Sequence, residues 1–180
     1  CTDDDGRIDI VSEWNQGCYV LVVGGEGPVL TQTPIQDPES NFWGFEGELE
    51  LSATGSARIQ GHLKYGGNAS KYMRSQFQNL LPREQRKTIL SLFGETAPGM
   101  TLDTFSVENL DDKYAPLLIH LEGNIPHFAT QTGHRFFVYP ALPGKAGWYG
   151  EHPSRRTEPF FAGIPSLSSS EIDIQIPDNW

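Results

Sequence analysis

Cysteine is scarce in this chain, long apolar runs are missing, and positive charge is in short supply. The two cysteines, Cys1 and Cys18, lie 17 positions apart and no CxxC occurs. That spacing matches no zinc-ligand pattern, so neither a metal nor a cofactor is expected. In an oxidising compartment the two thiols would be available for one disulfide; alternatively Cys18 is a buried thiol beside Tyr19-Val20-Leu21, and spacing leaves both open. No stretch approaches the roughly 20 apolar residues of a membrane-spanning helix, so no transmembrane segment is expected. Lys and Arg number 13 against 23 Asp and Glu, a formal net charge of −10. An acidic chain is a poor partner for a phosphate backbone, so nucleic acid falls away as a ligand.

What is present is enough for one globular domain: 180 residues with ten Phe, six Tyr and four Trp to fill a core. Residues 1–17 are polar and read as a connecting arm, leaving 18–180 as a single domain. The start, Cys1-Thr2-Asp3-Asp4-Asp5, lacks both Met and a signal peptide. It reads either as a lipoprotein start with a lipidated Cys1 or as the place where a longer protein was cut.

Hydrophobic periodicity gives the elements. Cys18 to Val23 is a short β-branched run that stops at Gly24-Gly25 and reads as a buried strand. Residues 34–41 read as a linker, because Pro34 and Pro38 lack the donor a sheet interior needs. Phe45 to Ala53 and Ala57 to Tyr65 then alternate apolar with polar on either side of Thr54-Gly55. This predicts a long β-hairpin with one buried face and one wet face, glutamates on one strand opposing Arg58, His62 and Lys64 on the other. The period becomes helical after Gly66-Gly67, with Ala69, Met73, Phe77, Leu80 and Leu81 on one face and Asn68 or Ser70 as cap. Pro82 opens a second helix with Ile89, Leu90 and Phe93 inward, so two helices occupy roughly 68–94. Strands return over Met100 to Val107, Pro116 to Leu121, Arg135 to Tyr139 and around Ile172 to Ile176, with a long Pro/Gly/Ser-rich loop over 140–170. The sum is a mainly β fold, a β-sandwich or curved antiparallel sheet, with two inserted helices.

Chemical motifs are sparse. No Gly-x-Ser-x-Gly or His-Glu-x-x-His occurs, and Cys18 heads an apolar run, so no catalytic residue is assigned and independent enzyme activity is not expected. His120, His127 and His134 would have to converge with a carboxylate such as Glu122 to hold a metal, and the spacing does not bring them together. The aromatic loop is the best binding feature: Trp148 and Tyr149 among glycines, near Arg155 and Arg156. Such rings stack on sugars while Arg grips carboxylates or hydroxyls, although large aromatics in long loops also fold back onto their own scaffold.

Several segments together resemble a known domain. They are Gln16 to Val23; Pro34 to Asn41; Gly67-Asn68-Ala69-Ser70 leading to Arg74; Pro98-Gly99; Val107 to Leu110; Pro116-Leu117; Arg155-Arg156; and Ile176-Pro177. The chain resembles, along its whole length, the domain of unknown function that follows the transglutaminase-like core in exported bacterial proteins, many from Bacteroidetes. The resemblance implies an exported chain, periplasmic or at the cell surface, whose partner is the upstream papain-like core of the same polypeptide. In that family the core's third catalytic residue, an Asp before x-Thr, would fall immediately before Cys1; neither Cys1 nor Cys18 matches the nucleophile. The implied role is a non-catalytic accessory domain that packs on or modulates the core, with residues 1–17 and 34–44 as connecting arm and the apolar surface of 18–30 as contact. The alternative is a free-standing surface lipoprotein that binds glycan, peptide or cell-wall material through Trp148 and Tyr149.

Overall fold

The fold is described from a computed structural model over residues 7, 9–25, 27–133, 135–139, 143 and 163–177. It is mainly β, with two helices inserted in the chain after the first long hairpin. The strands are β1 (Tyr19–Gly24), β2 (Gly27–Gln32), β3 (Phe42–Leu51), β4 (Ala57–Tyr65), β5 (Thr101–Glu108), β6 (Leu117–Ile125), β7 (Ala129–Thr132), β8 (Arg135–Val138) and β9 (Leu167–Gln175). The helices are α1 (Gly67–Phe77) and α2 (Pro82–Phe93). One five-stranded sheet in the order β5-β6-β4-β3-β9 forms the body, and β1-β2 and β7-β8 are separate two-stranded ribbons.

Alternation builds the hairpin at the centre. β3 and β4 pair antiparallel with Phe45 opposite Leu63 and Leu49 opposite Ile59, so these four side chains share one face and are fully buried. The turn is held by Gly55 at φ +83°, where a β-carbon would lie 2.5 Å from Ala129 O. Gly55 O in turn accepts from Ala129 N at 2.8 Å, tying β7 to the hairpin tip. Helical periodicity places Met73 and Phe77 of α1 and Ile89 and Phe93 of α2 on the same core, which Leu117, Ile119, Leu121 and Ile125 of β6 complete. The helices thus cover one face of the sheet and leave the other open.

Three sequence expectations are corrected. The sheet is mixed rather than antiparallel throughout, because β9 pairs parallel to β3. The cap of α1 is Gly66 rather than Asn68 or Ser70. Asn41 supplies the side-chain acceptor for its first turn, taking Ala69 N at 3.1 Å. The run Cys18 to Val23 is not buried: β1 pairs only with β2, and both strands are exposed along nearly their whole length.

Candidate functional site

Two surfaces carry features that core formation does not account for: the open face of the main sheet and the β1-β2 ribbon. On the open face the registers align a row of side chains, Glu171–Glu46–His62–His120–Ser106, across all five strands. His62 and His120 lie side by side with ring centroids 5.5 Å apart. Each imidazole has its own carboxylate: Glu46 Oε2 lies 3.4 Å from His62 Nε2, and Glu108 Oε1 lies 3.3 Å from His120 Nε2. The second contact is not a hydrogen bond: His120 Nε2 is shielded from solvent and has no hydrogen-bond partner. The expected cross-strand pairing of the hairpin is met at Glu46–His62, whereas Arg58 turns from Glu50 to Glu122 on β6, at 3.6 Å. These are half-exposed pairs worth at most about 1 kcal/mol each.

Shallow depressions of about 400 and 460 Å³ flank this row. Glu46, Glu48, Glu171 and Asp173 line the first, so the face is acidic. Among the described residues no three His, Cys, Asp or Glu side chains are placed to hold a metal ion. Ser106 stands opposite His120 across β5 and β6, but no hydrogen bond joins them.

At the start of α1 the chemistry is structural. Arg74 is only 5% exposed, and among the described residues no carboxylate lies within ion-pair distance of it. Its guanidinium donates to Ser70 Oγ at 2.8 Å, Ala115 O at 2.6 Å and Asn109 O at 3.2 Å, clamping the 109–116 loop onto the helix. Burial lowers its pKa, an effect that Asp112 opposes. Beside the clamp is a depression of about 290 Å³ lined in part by Arg7, Asp9, Ser70 and Tyr114. Arg7 pairs with Asp9 through Nε and Nη2 and stacks over the Tyr114 ring at 5.3 Å. The hydrogen bond from Arg7 holds the Asp9 carboxyl below its ordinary range and raises the Arg7 pKa in return. A depressed carboxyl contributes stability above its unfolded pKa, lost as pH falls through the folded value; Asp9 is at the surface, so the contribution is small. Tyr65 is raised well above 10 by burial, which keeps its hydroxyl protonated.

The ribbon is the other exceptional surface. Register puts Tyr19, Leu21 and Val23 on one face with Gln32, Leu30 and Pro28 opposite them. Tyr19 is 76%, Leu21 62%, Val23 79% and Leu30 67% exposed. The opposite face carries Val22 and Val29, also exposed, and Trp14 and Ile35 stand exposed just outside the ribbon in sequence. Cys18, expected as packing material, is an exposed free thiol whose Sγ lies 3.4 Å from Trp14 O.

Of the residues singled out from sequence, Trp148, Tyr149, Arg155 and Arg156 lie outside the described residues, as do Cys1 and His134. His120 and Glu122 share a strand face, but His127 sits beyond the end of that strand at φ +56°. The His62–His120 pair was missed by sequence reasoning, because its signal is the register between β4 and β6 rather than any spacing along the chain. Among the described residues no helix is long and apolar enough to cross a membrane. No protein family, curated protein or solved structure matches the chain.

Proposed function

We propose that the chain is a non-catalytic accessory domain of an exported, transglutaminase-like bacterial protein, and that it works by association. The observation that carries this reading is the apolar ribbon. A two-stranded ribbon with both faces exposed has no core of its own, and isolated hairpins are marginal in water. Contiguous exposed apolar surface of this kind marks an interaction site on a soluble protein. The resemblance to domains that follow a papain-like core supplies the context, and the described polar face offers paired side chains rather than a nucleophile with an oriented base.

The test is made in the parent polypeptide that carries the core. Leu21→Lys with Leu30→Lys in the ribbon is expected to lower the melting temperature of the neighbouring core by several degrees, or to change its activity at least about threefold, as loss of a few anchor residues does. A core with unchanged melting and unchanged activity in that variant would end the accessory reading.

A further inference from the structure

Strand β5 forms one edge of the main sheet. Among the described residues its one neighbour is β6, so its other side offers backbone groups to any chain that comes alongside. Register shows which groups these are. A β-carbon built on Gly123 of β6 would run into Thr101 O, so Thr101 O faces β6. Backbone carbonyls alternate in direction along a strand, which turns Leu102 O to the free side. Asp103 is the extra residue of a bulge, without a partner between the pairs Leu102–Gly123 and Thr104–Glu122. Arg86 of α2 stands at this spot. Its Nη1 donates to Leu102 O, its Nη2 donates to Asp103 O at 3.4 Å, and its guanidinium lies over the Phe105 ring at 5.4 Å.

We propose that Arg86 locks this edge, and that without it β5 takes up the β5 strand of a second copy of this chain. An added strand bonds through the carbonyls of the edge it meets. One guanidinium fork on two neighbouring carbonyls denies them to incoming amides, and it does so at the bulge, where the ladder is already interrupted. The lock is independent of the ribbon and of what the ribbon docks on.

The residues of the strand point to a second copy as the occupant. Two-fold pairing of an edge with itself is antiparallel. Over the full length of β5, Thr101 then meets Glu108, Leu102 meets Val107 and Asp103 meets Ser106. No carboxylate meets another and apolar side chains meet each other, so the charges of β5 do not protect it from itself. The same operation on the other edge strand, β9, sets Glu171 against its own counterpart. Like charges directly opposite disfavour pairing there. The edge that needs a guard from outside the strand is β5, and that is where Arg86 stands.

The test is sedimentation of the 180-residue chain and of Arg86→Met between about 1 and 200 µM, with amide exchange over 101–108 read at both ends of that range. Arg86→Met is expected to associate at least about tenfold more tightly than the unaltered chain, and its exchange over 101–108 should slow as concentration rises. Arg86→Lys leaves one ammonium for two carbonyls. Its association should lie between the two, and it carries the test against the unaltered chain should Arg86→Met fail to fold. A folded Arg86→Met chain that associates no more than the unaltered one overturns the lock. So does added association that leaves exchange over 101–108 independent of concentration, because the contact then lies elsewhere. A melting temperature that falls in both variants with no added association also overturns it, and leaves Arg86 as a strut between α2 and β5.

Discussion

Replacing Gly61 with alanine is expected to cost about 2–3 kcal/mol, although alanine is ordinarily the better strand residue. Gly61 and Gly47 are cross-strand partners on the core face of the central hairpin. A β-carbon at Gly61 would fall 2.5 Å from Glu46 O and 2.7 Å from Phe45 Cζ; at Gly47 it would fall 2.5 Å from Gln60 O and 2.8 Å from the same ring atom. The Phe45 ring therefore lies across the two glycines, fully buried, with its plane at 89° to Phe93 and centroids 6.0 Å apart. Backbone carbonyls cannot move aside as a flexible side chain would. Either the ring leaves its rotamer or the hairpin shifts. Urea unfolding of Gly61→Ala checks this, and a gain in stability, as strand propensity alone predicts, would show that the glycines do not form the seat of the ring. Phe45→Ala, which empties the seat, should cost about 3–5 kcal/mol.

Arg74→Met should destabilise the domain by about 2–4 kcal/mol and lower its melting temperature by about 5–15 °C. Two effects oppose each other. A buried guanidinium carries a desolvation cost, offset only in part by Asp112, that methionine removes. Against that, Ser70 Oγ, Asn109 O and Ala115 O would lose their donor at once, at about 1–3 kcal/mol for each acceptor left dry. Three lost bonds outweigh one relieved charge. Asn109 also holds the loop from within, its Nδ2 donating to Pro116 O at 2.9 Å. Arg74→Lys should recover less than half, because one ammonium cannot span three acceptors arranged for a fork. Amide exchange over 109–116 separates this from a general loosening: it should rise in both variants while β3 and β4 stay protected. A change in stability below about 1 kcal/mol for Arg74→Met would mean that water replaces the clamp without loss.

The parts of this fold that were legible in the sequence are those whose signal is local. Alternation in Phe45 to Leu51 and Ala57 to Tyr65 marked the hairpin and its faces, and Pro82 marked the first residue of α2. Where the signal depends on what lies across from a residue, sequence reasoning stopped short. The apolar run Tyr19 to Val23 is written like a buried strand, and nothing local tells that its partner would be a second apolar strand instead of a core. That partner, β2, was hidden by Gly27-Pro28, which reads as turn material. The four-residue β7 was too short to stand out. Residues 18–30 were named as a contact surface from sequence, yet the face that offers it, Tyr19 with Leu21 and Leu30, becomes visible only through register. Arg74 is an ordinary helix residue by its neighbours, and the clamp exists because the 109–116 loop returns to it.

The parallel pairing of β9 has a consequence for how this protein is made. β3 is complete by residue 51, but its second neighbour begins at Leu167. Until then one edge of the central hairpin stands bare, with the inner face of Phe45 and Leu49 beside it. Asn41 marks the closing point: its O accepts from Leu167 N at 3.0 Å and its Nδ2 donates to Pro165 O at 3.2 Å, while its Oδ1 holds the first turn of α1. Contacts so distant in the chain form slowly and late. A ribosome-bound chain must therefore carry an open sheet edge on β3 until residues 167–175 have been made, and a chain ending before Leu167 keeps that edge for good. Such a truncated product is expected to aggregate where the full chain stays in solution, which pelleting of the two from the same translation reaction would show; equal solubility would mean that the hairpin edge is harmless without β9.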